Sequence, residues 1–439
     1  MITNEHMIIE QSAKLSGTTT LFGAKNAVLV IMASTILTSG KSIFYNVPAS
    51  TDVLHMISLL ESLGAYVIFN RAEHILYIDS TCITKWRVCP DIMKKMRASI
   101  LVMGPLLARF GKAEIALPGG CLIGARPIDY HINNFKRLGT TISSEHNYLK
   151  VNSKNLQPKT IVLEYPSVGA TENIVMIATC IKGTTTIINA ALEPEVLDLI
   201  HVLKQMGAHI EVQAPATIII CGGRSLYPVE HEIVPDRLEA GALFLAAAIT
   251  GGEITLRNAR ARDMDVFLLK LEQMGHRIEI DENGITLRAC QEPQAVSFKT
   301  SPYPGFPTDL QAPMMAAQCL AQGKAVIEET VFENRLVHVR ELQKMGAQID
   351  VDHTKAIVTG VDELYGASVI ASDIRASCAL ALAGLAAKGT TIMTGLHHWR
   401  RGYEHLETKL NQLGATIQVG YGKQMPVLQK ANRLVKELE

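Results

Sequence analysis

A small set of side chains in this chain stands where chemistry on an anionic substrate would need it. Lys25, Arg97, Arg237, Asp309, Asp373 and Arg375 fall at the starts of segments that read as helices. Free N–H groups and the positive dipole end make such positions suited to anions. Cys121 and Arg126, Arg260 and Arg262, Arg335, and Arg400 and Arg401 fall in loops between a β-rich run and the next helix. Arginine presents a planar fork that matches phosphate or carboxylate two oxygens at a time. Any one of these arginines is more often solvated surface. Their recurrence at matching positions is the signal, and it predicts a cationic cleft for a small substrate carrying several negative charges.

The sharpest local feature is Leu117-Pro118-Gly119-Gly120-Cys121-Leu122-Ile123-Gly124-Ala125-Arg126-Pro127. Two glycines free the backbone to approach a ligand and place a thiol in a glycine-rich loop, with Arg126 five residues on. A lone cysteine is usually a small buried hydrophobe; here the glycines and the arginine favour a reactive group. The glycine spacing does not match the dinucleotide fingerprint.

The positions recur because the elements do. A helix-like run closes on Leu63-Gly64, Leu138-Gly139, Met206-Gly207, Met274-Gly275, Met345-Gly346 and Leu413-Gly414, at intervals of 75, 68, 68, 71 and 68 residues. About thirty residues earlier comes a Gly followed by a β-rich run, as at Gly183-Thr-Thr-Thr-Ile-Ile. The unit reads helix, strand, helix, strand, strand, used six times. In its first copy Val53, Leu54, Ile57 and Leu60 should form the apolar face of the closing helix. Ser50, Thr51 and Asp52 should cap its start, and Gly64 should take the left-handed position at its end. The class is α/β, and 439 residues suggest two domains of three units each.

Composition narrows the function. The 42 basic and 42 acidic residues cancel, which argues against a general nucleic-acid binder. Eight cysteines occur without a CxxC pair, so a zinc site or disulfide framework is not expected and a reducing cytoplasm fits. The N-terminus shows no signal-peptide plan, and apolar runs such as Ala376 to Ala387 are too short to span a bilayer.

Taken together, the motifs resemble the UDP-N-acetylglucosamine 1-carboxyvinyltransferase family of enolpyruvyl transferases. The resemblance rests on Gly23-Ala24-Lys25-Asn26, Met96-Arg97-Ala98-Ser99, Pro118-Gly119-Gly120-Cys121, Gly124-Ala125-Arg126-Pro127 and Ser167-Val168-Gly169-Ala170-Thr171-Glu172-Asn173. It continues through Pro235-Asp236-Arg237, Phe306-Pro307-Thr308-Asp309, Phe332-Glu333-Asn334-Arg335, Asp373-Ile374-Arg375-Ala376 and Arg401-Gly402-Tyr403-Glu404. It implies two inside-out α/β barrel domains, helices inside and sheets outside. Residues 22–229 would form one and residues 1–21 plus 230–420 the other, followed by a tail at 421–439.

The resemblance implies transfer of the enolpyruvyl group of phosphoenolpyruvate to the 3′-hydroxyl of UDP-N-acetylglucosamine, through a tetrahedral ketal, with no cofactor and no metal. Asp309 would be the base and Cys121 the acid towards C3 or a product-release group. Lys25, Arg126 and Arg401 would hold phosphate, with Asn26 beside Lys25. Arg335 and Arg375 would lie by the carboxylate and Asp373 near the proton transfers. Arg97, Arg126, Pro127, Ile128, Asp129, Tyr130, Ser167, Val168, Gly169, Asp309 and Val331 would receive the nucleotide sugar. The resemblance also makes Cys121 a target of the epoxide fosfomycin. Departures from the family pattern are Tyr165 in place of the common lysine and His398-Trp399-Arg400 in place of His-Ile-Asp. The His397-His398 pair is expected to be solvated rather than metal-binding. The alternatives are the shikimate-pathway enolpyruvyl transferase, which lacks the Pro-Gly-Gly-Cys loop, and a paralogue that binds the sugar nucleotide without turning it over. Val427, Ala431, Leu434 and Val435 could form one face of a tail helix.

Overall fold

The computed structural model describes residues 5–116, 128–145, 148–153 and 155–422. The first unit sets the plan: helix Lys25–Ser34, strand Lys41–Tyr45, helix Thr51–Leu63, then the hairpin strands Tyr66–Asn70 and Ile75–Asp79. Lys25–Ser34 reads KNAVLVIMAS and buries every side chain except Asn26. A helix apolar almost all round belongs in an interior. The strands lie outside it: in Lys41–Tyr45 the side chains of Ser42 and Phe44 are buried while Lys41 is exposed, the alternation of a sheet with one wet face. The same order starts again at helices Met103–Phe110, Val168–Ala178, Arg237–Thr250, Gln311–Gln318 and Ile374–Ala386.

The helix Thr51–Leu63 buries Val53, Met56, Leu59, Leu60 and Leu63. The expected face is therefore turned: Leu54 and Ile57 are only half-buried. Val53, Met56, Leu60 and Leu63 form the stripe that continues over three turns, so they take the inside. Gly64 ends the helix at φ 112°, and a Cβ there would lie 2.4 Å from the Cys82 carbonyl oxygen. Backbone and space both demand glycine. The other closing glycines, Gly139, Gly207, Gly275, Gly346 and Gly414, also take positive φ.

Among the described residues the strands form six sheets, five of four strands and one of three. Each four-stranded sheet carries one strand beyond the expected set, short and parallel to its neighbour. Two of these short strands are exchanged between the halves. Ser16–Thr19 precedes the first helix yet pairs with Glu253–Leu256. Glu230–Glu232 precedes helix Arg237–Thr250 yet pairs with Ile43–Tyr45. The two passages between halves run side by side: Ala24 N donates to Val234 O at 2.7 Å and Asp236 N to Phe22 O at 2.9 Å. The last sheet is completed by the N-terminal strand Glu5–Glu10, seated between Thr390–Thr394 and Ile417–Tyr421.

Two apolar cores result. One gathers residues from Ala24 to Val234; the other gathers Met7 to Leu21 with Leu238 to Ile417. Close helix approach uses small residues, as where a Cβ on Gly104 would meet the Asn173 carbonyl oxygen at 2.6 Å. The fold is thus a pair of α/β halves with helices inside and sheets outside. No helix among the described residues is long and apolar enough to cross a membrane.

Candidate active site

The expected site residues come from helix starts and from the loops before closing helices, and the fold brings several of them together where the two halves meet. Lys25 opens the first internal helix and is 8% exposed. Its Nζ lies 3.4 Å from Oδ2 of Asp52. The other oxygen of Asp52 accepts from Nε of Arg401 at 2.9 Å. Arg401, expected in a loop, belongs instead to the short helix Leu396–Gly402 of the second half, so one carboxylate joins a lysine and an arginine from opposite halves. Asp52 was expected as a helix cap. The cap position is Ser50, without a side-chain bond, and Asp52 sits in the first turn with its carboxylate buried between Lys25 and Arg401. Sequence reasoning missed this residue; the signal available was a run of three candidate caps where one suffices.

A second carboxylate gathers a second pair of cations. Asp309 accepts from Arg335 Nη2 at 2.6 Å and from Arg375 Nη2 at 2.8 Å, one on each oxygen. Arg375 also donates to the Tyr403 hydroxyl at 3.0 Å, and Arg335 to Thr308 Oγ1 at 3.1 Å. Both guanidiniums are buried, at 4% and 6% side-chain exposure, while Asp309 keeps 26% open to the cleft. Burial alone would raise the Asp309 carboxyl, but Arg375 and Arg335 hold it well below the usual carboxylate range.

The residues behind this pair explain its geometry. Asp373 is the N-cap of helix Ile374–Ala386, accepting from the backbone N–H groups of Arg375 and Ala376. Its other oxygen accepts from Ser372 Oγ at 3.0 Å. The structure therefore places Asp373 behind Arg375, fixing where that arginine starts. Glu329, 1% exposed, accepts from the hydroxyls of Thr300 and Thr308 and from the N–H groups of Val331 and Phe332. It ties the Asp309 turn to the Val331 loop.

The first half gathers a second group of expected residues. Ser167 caps helix Val168–Ala178, and His131 touches the space beside Gly169, 3.3 Å from where a Cβ would be. Asn173 holds this corner, donating to Ile100 O at 3.2 Å, meeting His131 Nδ1 at 3.1 Å and accepting from Gly104 N at 2.8 Å. Burial, then the charge of Arg97, pushes the His131 imidazole down to about 4. It is neutral at pH 7, so it adds no cation there. Asp129 opens the next helix and is exposed, with Ile128 and Tyr130 half-buried beside it. Burial, then the charges of Glu193 and Glu329, raises the Tyr165 phenol, which is also sensitive to Tyr130. Asn26 is exposed next to Lys25.

Not every candidate joins the cluster. Arg400 pairs with Glu407 and with Glu5, 3.1 Å away, behind its helix. Arg237 forms a two-pronged pair with Glu195, at 3.0 and 3.2 Å, that ties the halves together. Arg260 and Arg262 are exposed, and Arg262 faces Asp263 at 4.0 Å. His397 is exposed, while His398 is half-buried and pushed down to about 4 by burial and by His397. Cys121, Arg126 and Pro127 lie outside the described residues, as does the tail face at Val427, Ala431, Leu434 and Val435. Among the described residues no group of three or more His, Cys, Asp or Glu is placed to hold a metal ion.

Comparisons with known proteins add to this geometry. A family model described as EPSP synthase (3-phosphoshikimate 1-carboxyvinyltransferase) matches residues 9–410. A UDP-N-acetylglucosamine 1-carboxyvinyltransferase of Geobacter metallireducens is 45% identical over 414 residues, covering 94% of this chain and 99% of the relative. UDP-N-acetylglucosamine 1-carboxyvinyltransferase 1 of Staphylococcus aureus is 47% identical over 416 residues, with the same coverage of 94% and 99%. Among solved structures, the enolpyruvyl transferase NikO from Streptomyces tendae superposes with TM-score 0.87 at 24% identity, over 96% of this chain and 100% of that one. EPSP synthase of Acinetobacter baumannii gives TM-score 0.73 at 15% identity, over 95% and 100%.

Proposed function

The chain belongs to the enolpyruvyl transferase family, and from that premise we propose that it is a UDP-N-acetylglucosamine 1-carboxyvinyltransferase. It moves the enolpyruvyl group of phosphoenolpyruvate to the 3′-hydroxyl of UDP-N-acetylglucosamine and releases phosphate, the first committed step toward peptidoglycan precursors. The observation that carries the site reading is the convergence of Lys25, Arg335, Arg375 and Arg401 on two carboxylates, Asp52 and Asp309, in one cleft. Four cations in a neutral chain suit a substrate that brings a phosphate and a carboxylate together.

In this reading Lys25 and Arg401 take the phosphate, while Arg335 and Arg375 take the carboxylate of phosphoenolpyruvate. Asp309 accepts the proton of the 3′-hydroxyl as that oxygen bonds to C2, while C3 gains a proton. The resulting ketal then loses phosphate and a C3 proton to restore the double bond. A carboxylate gripped by two arginines is a weak base. When the substrate carboxylate occupies Arg335 and Arg375, Asp309 is relieved of them and its basicity rises. Asp373 contributes by setting Arg375. Cys121 supplies the proton to C3 or assists product release, and Arg126 joins the phosphate contacts. Arg97, Pro127, Ile128, Asp129, Tyr130, Ser167, Val168, Gly169 and Val331 line the nucleotide-sugar side, with Asn26 beside Lys25.

The same reading divides the chain into domains at 22–229 and at 1–21 plus 230–420, with 421–439 as a tail. The second passage between them is best drawn near Val234, since Glu230–Glu232 pairs within the first half's sheet. A cytoplasmic site of action suits the free thiols and the nucleotide-sugar substrate. The test is phosphate release from phosphoenolpyruvate with either UDP-N-acetylglucosamine or shikimate 3-phosphate as acceptor. Release with the first alone is expected; release with the second alone, or with neither, overturns the proposal.

A further inference from the structure

We propose that Asp52 is a positioning residue of the anion pocket, holding the Lys25 ammonium and the Arg401 guanidinium, one from each half, in register for a substrate phosphate. The inference rests on the reading that Lys25 and Arg401 take that phosphate. Asp52 is 3% exposed, and each of its oxygens holds one cation. Those partners lie 27 and 349 positions away in sequence. The helix it opens makes no side-chain cap bond at Ser50, so the carboxylate is engaged with side chains rather than with the helix end.

The atoms used are informative. Arg401 meets Asp52 through Nε, which fixes the plane of the guanidinium and leaves the edge formed by its two terminal nitrogens for a phosphate. The end of the same helix is gripped again one step away: Glu404 Oε2 accepts from Ala49 N at 2.6 Å and lies 3.5 Å from His74 Nδ1. The start of helix Thr51–Leu63 therefore docks the arginine-bearing helix at two points of opposite polarity. That docking sets the distance between Lys25 and Arg401.

Charge gives the carboxylate a second effect. Lys25 is buried, and among the described residues it is faced by Asp52 and Asp309 and by the cations Arg375 and Arg401. Burial pushes its ammonium down, Asp52 opposes that, and the two arginines add to it. Removing the Asp52 charge leaves Asp309 alone against the two arginines and burial, so the lysine sheds its proton at lower pH. His397 and His398, beside Arg401, are pushed down by burial and by that arginine, so they add no further positive charge there.

The experiment uses full-length Asp52→Asn, Asp52→Ser and Asp52→Glu, assayed for phosphate release from pH 6 to 9 beside wild type, with melting curves. The alkaline limb of kcat/KM for phosphoenolpyruvate should fall by at least about one pH unit in Asp52→Asn, about a tenfold loss at its steepest. KM for UDP-N-acetylglucosamine should stay within about twofold, and Asp52→Glu should recover part of the limb. An unmoved limb in a folded Asp52→Asn or Asp52→Ser overturns the inference. So does a loss that is equal at every pH and tracks a lowered melting temperature, which is what a purely structural residue would give. If wild type itself releases no phosphate, the reading of the site fails instead of this one.

Discussion

The indole Nε1 of Trp399 donates to Glu407 Oε2 at 2.8 Å, and both side chains are buried. That bond fixes the rotation of helix Leu396–Gly402, and two neighbouring arginines then part company. Arg400 follows the tryptophan to Glu407 and Glu5, and Arg401 enters the cleft toward Asp52. The departure from the family pattern at His398-Trp399-Arg400 thus places its new charge away from Asp52 and Lys25. Arg400→Ala should keep kcat/KM within about twofold while lowering the melting temperature. Arg401→Ala should lose about a hundredfold in kcat/KM for phosphoenolpyruvate, the usual cost of one preorganised donor to a transition state. Comparable losses in both variants would contradict this division.

Asp309→Asn should lose most turnover yet still bind UDP-N-acetylglucosamine, measured by calorimetry. An amide cannot take a proton from the acceptor hydroxyl, and it no longer pairs ionically with Arg335 and Arg375. Near-normal phosphate release would remove Asp309 as the base.

Glu193 predicts a pH dependence of stability. Burial raises its carboxyl to about 7, and its Oε2 is buried without a partner. The folded chain therefore holds this proton where the unfolded chain, at the ordinary value of about 4.3, has released it. Stability falls as pH rises from about 4.3 to about 7 and is flat beyond, a penalty of about 4 kcal/mol at most. Glu193→Gln should raise the melting temperature at pH 8 relative to wild type and leave it nearly unchanged at pH 4. An equal shift at both pH values would count against the assignment.

Fosfomycin should add its mass to the peptide containing Cys121 when UDP-N-acetylglucosamine is present. The thiolate sulfur bonds to an epoxide carbon, the C–O bond opens, and the oxygen takes a proton. Buried Cys319 and Cys378 are pushed up to about 12 and about 11, so they should stay unlabelled. An unmodified Cys121 peptide would end this assignment.

Much of the scaffold was legible because it repeats. A glycine that ends each closing helix in the left-handed region leaves the same mark six times, and an interior helix such as Lys25–Ser34 shows no polar face beyond Lys25 and Asn26. The added parallel strands were not legible. Glu230–Glu232 is three residues long, too short to show a period, and its partner Lys41–Tyr45 lies far back in the chain. Asp52 was hidden for a related reason. A carboxylate in a first turn has a local explanation as a cap, whereas its real partner Arg401 is 349 residues away. Residue types and recurring positions singled out Lys25, Asp309, Arg335, Arg375 and Arg401, but they do not reveal that Asp309 occupies two of those cations.

The seat of Glu5–Glu10 between Thr390–Thr394 and Ile417–Tyr421 also sets a timetable. About 380 residues separate this strand from its neighbours along the chain. At about 5–20 residues per second it waits roughly 20–80 s for partners. Throughout that interval Met7, Ile8 and Ile9 have no sheet to enter, and a bare apolar strand invites pairing with other chains. The first half has only its Glu230–Glu232 edge to await, so it can be assembled while the second is still being made. During synthesis this strand therefore stays unpaired until both of its neighbours have been made.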